Sequence, residues 1–137
     1  MTTPPPAARA IARAIDLGIV AVSAALVSAL TGGISPGLVI AALLGAYLYE
    51  TLMVSMTGTT VGKRRMGLRV VDHDTGAKPA TSKAGTRFLS VVAIAALVHL
   101  ILPVGPAVAV FIWGSAVVTP DGRGLPDRAA NTQVVTA

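Results

Sequence analysis

The sequence contains no cysteine and few charged residues. The absence of cysteine excludes disulfides, thiolate metal sites and cysteine nucleophiles, although it does not identify a redox compartment. Charged residues make up 12% of the chain, about half of their usual share in soluble domains. Apolar residues make up 53%, and the mean hydropathy is +0.74. This composition predicts a membrane protein.

The sequence also lacks a nucleophile with an adjacent base and a cluster of metal ligands. Three or four short membrane spans would use most of the 137 residues and leave little room for a soluble catalytic module. We therefore expect no enzyme activity and no cofactor. The serines in apolar runs are expected to bond to the backbone; they are Ser23, Ser28, Ser55 and Ser90.

The formal net charge of +5 raises the question of nucleic-acid binding. The basic residues, however, cluster beside hydrophobic runs, as the positive-inside bias of membrane proteins predicts. We therefore expect contacts with membrane lipids and no nucleic-acid partner.

Two hydrophobic stretches follow a proline-rich start. Residues 11–30 supply about the twenty residues that a helix needs to cross the hydrocarbon, and a short Gly/Pro-containing link to residues 38–56 predicts an antiparallel hairpin. Residues 1–10 are expected to form a disordered tail. Because the start lacks a basic region and Asp16 interrupts the apolar run, we expect a retained first span and not a cleaved signal peptide.

A polar segment occupies residues 57–86. Its basic residues place it in the cytoplasm, with both termini, in a multi-pass protein of the plasma membrane. Residues 66–72 favour a β-strand and residues 74–76 favour a turn, so we expect a small β-hairpin within this segment. The basic residues concerned are Lys63, Arg64, Arg65, Arg69, Lys78, Lys83 and Arg87, with Arg9 and Arg13 ahead of the first span.

The last apolar region, residues 88–118, is too long for one span. Pro103-Val-Gly-Pro106 is expected to break it into two short helices, which return the chain to the cytoplasm. The alternative is one full span followed by an interfacial helix, with the C-terminus outside. The overall prediction is an all-α membrane protein: one domain over residues 11–135, with about four transmembrane or half-membrane helices and a short cytoplasmic β-hairpin-like loop.

Two carboxylates, Asp16 and Glu50, lie inside the predicted helices at similar depth. A charged side chain within the membrane is costly and usually has a partner. Arg13 lies on the same helical face as Asp16, and Arg87 at the same level can approach Glu50. These four residues predict an ionic network. It can be a proton or cation site or a structural lock, and we favour the lock because a small bundle has little room for a water-filled pathway.

Residues 58–63, Gly-Thr-Thr-Val-Gly-Lys, match a phosphate-binding P-loop only in part. That pattern needs a glycine five positions before Gly62 and a serine or threonine after Lys63, where this chain has Thr57 and Arg64. We therefore expect no nucleotide binding. Lys63, Arg64 and Arg65 are instead predicted to contact anionic lipid headgroups, each contributing about 1 kcal/mol.

Three separated segments resemble the RDD family of small bacterial membrane proteins, named for one arginine and two aspartates. They are Ala-Arg-Ala-Ile-Asp at residues 12–16, Gly-Thr-Thr-Val-Gly-Lys-Arg-Arg-Met-Gly-Leu-Arg-Val-Val-Asp at 58–72, and Arg-Gly-Leu-Pro-Asp-Arg-Ala-Ala-Asn-Thr-Gln-Val-Val at 123–135. The resemblance extends over residues 9–135 and implies that Arg13, Asp16 and Asp127 correspond to the name residues. It also implies a connection with transport of ions or small solutes.

Three positions depart from the family pattern. Val61 replaces the usual leucine, and Asn131 replaces a glycine, although asparagine also tolerates the left-handed backbone conformation. Pro126 replaces a histidine, which weakens any proton-relay role at that end. A returning C-terminal segment is expected to bring Asp127 near Arg64, Arg65 and Arg87.

These observations leave three functional hypotheses. The first is a small transporter or transport component, expected to form a homo-oligomer because four short helices rarely enclose a pathway. The second is a non-catalytic accessory or scaffold subunit that binds a larger membrane protein through its Ala/Gly-rich helix faces. The third is a module that binds anionic lipid through its basic loop.

Overall fold

The computed structural model describes residues 2–102, 104–119 and 121–137, and in this part of the chain it is a helical bundle with a small two-stranded sheet. The helices and strands are, in chain order, α1 (Pro6–Thr31), α2 (Pro36–Thr57), α3 (Val61–Arg65), β1 (Leu68–Asp72), α4 (Thr81–Ile101), α5 (Gly105–Val118), α6 (Leu125–Ala129) and β2 (Thr132–Thr136). We call α3, β1, α6 and β2, with their connecting loops, the polar cap.

Helices α1 and α2 form the predicted antiparallel hairpin. Helix α1 is capped at its C-terminus by Gly32, which has a φ of 81° and donates its N–H to the carbonyl of Ser28; glycine adopts this conformation at little cost. Helix α2 is capped at its N-terminus by Ser35, whose hydroxyl accepts a hydrogen bond of 3.2 Å from the Leu38 N–H. The turn between the helices is therefore specified by local capping.

Three helices are long and apolar enough to cross a membrane, namely α1, α2 and α4. Helix α5 has 14 residues and at 1.5 Å per residue is about 21 Å long, short of a full span. It packs against α4 and α1. The expected membrane class and the expected bundle of full and partial spans are both confirmed.

The last apolar region forms the expected helical hairpin. Helix α4 ends at Ile101 and α5 begins at Gly105, where the backbone N–H donates to Nδ1 of His99 at 3.3 Å. The predicted break included Pro103, which lies outside the described residues. The hairpin brings the chain back to its start, since the Thr2 and Thr136 hydroxyls lie 2.5 Å apart. Both described ends therefore lie on one side of the bundle, as expected for a helical hairpin and not for a single span followed by an interfacial helix.

The pairing of the two strands corrects the sequence prediction. A strand at 66–72 was expected to pair within its own loop, but β1 pairs antiparallel with β2 from the end of the chain. Val70 lies opposite Val134, and both are buried in the core of the polar cap. An isolated hairpin is marginally stable, and the partner from the C-terminal segment adds buried apolar contacts that a local turn lacks.

Two helix boundaries also differ from expectation. Helix α1 begins at Pro6, so residues 6–10 are helical and not a disordered tail, and Arg9 within them is buried. Helix α4 begins at Thr81 and not near residue 88. Its first turns lie in the polar cap, where Ala84 is fully buried and Lys83 forms an ion pair with Asp72. Three consecutive prolines at residues 4–6 concealed the first helical start, and local polar composition concealed the second.

Candidate functional site

Asp16 is a buried carboxylate of α1 that accepts three hydrogen bonds. Its Oδ1 accepts hydrogen bonds from the Tyr49 hydroxyl and from the Gly62 N–H, both at 2.9 Å. Its Oδ2 accepts one from the Thr60 hydroxyl at 2.6 Å. Asp16 is 5% exposed, so these bonds replace the water that a buried carboxylate loses.

The segment that resembles a P-loop supplies most of these bonds. Thr60, Gly62 and Lys63 all face Asp16, with a backbone N–H, a hydroxyl and an ammonium directed at one anion. Converging donors of this kind bind anions in many proteins. Here the anion is the Asp16 carboxylate of the same chain, so the contacts of this segment require no nucleotide.

Gly62 is required by a close approach of two backbones. A Cβ atom at this position would lie 2.0 Å from the carbonyl oxygen of Ala12 in α1. No side chain fits this gap, because real atoms do not approach so closely. The glycine therefore allows α3 to lie directly on α1 and to reach Asp16.

Lys63 lies between the two carboxylates of the helical hairpin. Its Nζ is 3.8 Å from Oδ2 of Asp16 and 4.0 Å from Oε1 of Glu50, and it donates to the Thr60 hydroxyl at 3.2 Å. The residue is 4% exposed. Burial, with repulsion from Arg13, lowers the pKa of Lys63 to about 8 despite the attraction of Glu50.

Glu50 is held from a second direction by Arg13. Nη1 of Arg13 donates to both carboxylate oxygens of Glu50, at 3.3 and 3.4 Å. The two residues lie on α1 and α2, so the ion pair joins the two arms of the hairpin near the polar cap. This pairing agrees with the predicted network, although Arg13 was expected to associate with Asp16.

Arg87 and Asp127 form a second buried ion pair. Nη1 of Arg87 lies 2.7 Å from Oδ1 of Asp127 and donates to the Thr132 hydroxyl at 3.0 Å. The other Asp127 oxygen accepts the backbone N–H of Gly124 at 3.1 Å and so caps α6. The pair fastens the C-terminal segment to α4.

The six charged residues balance one another. Three carry a positive charge, Arg13, Lys63 and Arg87, and three carry a negative charge, Asp16, Glu50 and Asp127. We call these six residues the charged cluster. The prediction of a network of Arg13, Asp16, Glu50 and Arg87 placed all four correctly within it. Arg87 was expected near both Glu50 and Asp127, and its ion pair is with Asp127.

Lys63 also corrects the lipid-contact prediction. It was grouped with Arg64 and Arg65 as a headgroup ligand, but it is buried, whereas Arg64 and Arg65 are exposed. Helical geometry explains the difference, because successive residues of α3 point in different directions. Lipid contact by the two exposed arginines stays a prediction. Asp127 reaches Arg87 as expected.

The model of the RDD family matches residues 3–131 of the 137-residue chain. The chain belongs to the RDD family. Comparisons with curated proteins and with solved structures give no match. In this RDD protein, the residues that correspond to the family's name, Arg13, Asp16 and Asp127, all lie in the charged cluster. The replacement of the family's usual glycine by Asn131 is structurally mild. Asn131 has a φ of 50°, in the left-handed region that asparagine tolerates.

Several functional contacts could not be assigned from helix periodicity. Tyr49 was not among the predicted site residues, and Thr60 and Gly62 were considered only as parts of a failed P-loop match. The signal that pointed to them was the segment's resemblance to the family loop, combined with its donor-rich composition. The missing information was which anion this loop faces, because that depends on α3 folding back onto α1.

Proposed function

We propose that this RDD protein takes part in the transport of monovalent cations coupled to protons, with Asp16, Lys63 and Glu50 as the exchange site. The observation that carries the proposal is a single buried ammonium group between two carboxylates, at 3.8 and 4.0 Å. Charged residues in membrane helices commonly mark ion or proton pathways. We also propose that the chain has no enzymatic activity of its own.

Charge balance supplies the mechanism. When Lys63 releases a proton, the charged cluster loses one positive charge while Asp16 and Glu50 stay ionised. A monovalent cation then restores neutrality beside the two carboxylates. When Lys63 takes up a proton again, the cation is released. One proton therefore leaves for each cation that binds.

The environment of Lys63 supports this exchange. A pKa of about 8 places both protonation states within reach near neutral pH. Charged groups from four helices surround the ammonium, so its titration responds to the whole bundle. They are Arg9, Arg13, Asp16, Glu50, Arg87 and Asp127.

The size of a small cavity favours a small ion, and not a larger solute, as the transported species. It measures about 20 Å³ and is lined by both carboxylates, together with Tyr49 and Thr60. A single water-sized sphere needs about 10–15 Å³. The space next to the carboxylates thus suits one dehydrated monovalent cation, and the Thr60 hydroxyl adds a neutral oxygen ligand.

The orientation we propose follows the basic residues. Arg64, Arg65 and Arg69 are exposed on the polar cap, and positive residues are enriched on the cytoplasmic side of membranes. The polar cap and both termini would then face the cytoplasm of a plasma membrane, and the exchange site would open toward that side.

Flux measurements on the full chain in proteoliposomes test the proposal. When the vesicle interior is more acidic than the medium, external Na⁺ or K⁺ should exchange for internal protons. The pH gradient should therefore dissipate in vesicles that contain the wild type. Asp16→Asn, Glu50→Gln and Lys63→Met should each slow this flux at least tenfold. Arg65→Gln, an exposed charge change on the same short helix as Lys63, is the matched control and should keep the wild-type rate.

Two results would count against transport. One is the absence of cation-dependent proton flux in wild-type vesicles; the other is an unchanged rate in folded variants of the exchange site. Circular dichroism of each variant in detergent identifies those that fold. A folded, inactive wild type would favour a non-transport role for the charged cluster.

A partner-binding role is the second candidate, and a groove between α1 and α2 favours it. From Leu17 to the end of α1 no residue is buried, and a cavity of about 830 Å³ opens there, lined by small residues such as Ala21, Ala25 and Ala42. Small residues permit close helix approach in membranes. Gentle purification followed by mass spectrometry distinguishes a stoichiometric larger partner from a homo-oligomer, which the transport proposal expects.

A further inference from the structure

A larger cavity, of about 230 Å³, lies between α1, α5 and the polar cap. Four basic side chains and one acidic side chain reach its wall. These are Arg9, Arg13, Lys63, Arg87 and Asp127. The cavity lies beside the exchange site, but among its charged lining residues the positive ones outnumber the negative one, whereas two carboxylates and one arginine line the exchange site.

Two guanidinium groups in this wall retain unused hydrogen-bond donors. The Nε atoms of Arg9 and Arg87 are buried and have no hydrogen-bond partner among the described residues. The two residues are 8% and 2% exposed. A buried charged donor without an acceptor is costly, so the described residues do not satisfy the hydrogen-bonding capacity of these two guanidinium groups.

Arg9 also lacks a countercharge. Its Nη1 donates to the carbonyl oxygen of Gly122 at 2.7 Å, and no carboxylate in the described part of the chain forms an ion pair with it. The charged cluster is neutral by itself, so Arg9 adds one uncompensated positive charge. A monoanion in the cavity would neutralise it.

We propose that this cavity binds a phosphate group. Guanidinium groups match phosphate oxygens in geometry and charge, and a volume of about 230 Å³ admits a phosphate with its substituents. Leu17 and Val110 form an apolar side of the cavity between α1 and α5. Basic pockets between membrane helices commonly bind lipid headgroups, and a phosphodiester carries the single negative charge that Arg9 requires.

The phosphate can come from a lipid headgroup or from free phosphate, and two binding measurements separate these sources. The full chain, purified and stripped of lipid in detergent, is mixed with phosphatidylglycerol and examined by native mass spectrometry. In parallel, inorganic phosphate is titrated into the same protein by calorimetry. We expect a saturable site in at least one measurement; binding in the first alone identifies a lipid headgroup.

Three variants locate the site. Arg9→Gln removes the uncompensated charge and should weaken binding at least tenfold. Gly114→Leu fills the cavity without altering a charge, and a Cβ at Gly114 meets no atom within 4 Å, so this variant should fold and also lose binding. Arg69→Gln, an exposed charge change on β1 outside the cavity wall, should bind like the wild type.

The proposal fails if neither phosphate source binds, or if Arg69→Gln weakens binding as much as Arg9→Gln does. Wild-type affinity in folded Gly114→Leu would also overturn it, even where Arg9→Gln does not fold. None of these results depends on cation flux, so the phosphate site and the exchange site are tested separately.

Discussion

The backbone N–H of Gly62 donates a 2.9 Å hydrogen bond to Oδ1 of Asp16, across the interface between α3 and α1. This bond requires the two backbones to lie in contact, since a Cβ on Gly62 would be 2.0 Å from the Ala12 carbonyl oxygen. The same contact between α3 and α1 places Lys63 within the charged cluster. Asp16 and Gly62 together therefore couple the position of the basic loop to the first membrane helix.

Gly62→Ala should destabilise the protein strongly. The added methyl group forces α3 away from α1 and removes the hydrogen bond to Asp16, and overpacking of this kind costs about 1–3 kcal/mol or more. Thermal unfolding in detergent, followed by circular dichroism, measures the loss. Gly18→Ala is the control, because a Cβ there meets nothing within 4 Å; equal stability of the two variants would contradict the close contact.

The ion pair between Arg87 and Asp127 should show strong coupling in a double-mutant cycle. Removal of one partner leaves a buried, uncompensated charge and should cost about 3–5 kcal/mol. Arg87→Gln combined with Asp127→Asn removes both charges, so its cost should fall below the sum of the single costs by about 1–3 kcal/mol. Denaturant unfolding in mixed micelles supplies the four free energies.

The exposed pair of Arg128 and Asp121, at 3.1 Å, provides the comparison for that cycle. Solvent-exposed ion pairs contribute about 0–1 kcal/mol, so Arg128→Gln with Asp121→Asn should show little coupling. Similar coupling energies for the buried and the exposed pair would mean that the Arg87–Asp127 contact does not fasten the C-terminal segment.

The pairing of β1 with β2 can be tested by an engineered disulfide, since the chain has no native cysteine. Arg69 lies opposite Val135 in the register, so Arg69→Cys with Val135→Cys should crosslink readily under mild oxidation. Arg69→Cys with Gln133→Cys is displaced by two residues, which separates the Cα atoms by about 7–8 Å and disfavours a disulfide. Intact-mass measurement and non-reducing gels report the yields; efficient crosslinking of the displaced pair alone would contradict the register.

Much of the bundle could be predicted because apolar length and helix-ending residues are local signals. The hairpin of α1 and α2 follows from two long apolar runs with Gly32 and Pro36 between them. The burial of Asp16 and Glu50 also followed, since charges in membrane helices need partners.

The choice of partners could not be predicted from the same signals. Lys63 was assigned to the surface because a run of three basic residues has no periodicity that marks one of them as buried. Arg87 was expected near both Glu50 and Asp127, and helix periodicity does not select Asp127, which reaches Arg87 only after α5 and α6 return the chain to the polar cap. In the same way, β1 has its strand partner at the far end of the chain, and long-range pairing leaves no local pattern.

The pKa of Lys63 determines how the stability of the protein depends on pH. The folded pKa of about 8 lies below the ordinary value of 10.5, so between these pH values the unfolded chain binds the proton that the folded protein has lost. The free energy of unfolding should therefore rise with pH from about 8 to 10.5 by this contribution. Lys63→Met removes it, and thermal unfolding of both proteins across this range measures the difference.

The most direct test of the exchange site is an NMR titration of the lysine side chains. With ¹³C-labelled lysine in detergent, the three residues Lys63, Lys78 and Lys83 give separate signals, and Lys63→Arg assigns the one of interest. We predict that Lys63 titrates near pH 8 and that added Na⁺ or K⁺ lowers its apparent pKa, because the cation competes with the proton for the Asp16 and Glu50 carboxylates. A pKa for Lys63 near 10.5 that does not respond to either cation would contradict the proposed exchange.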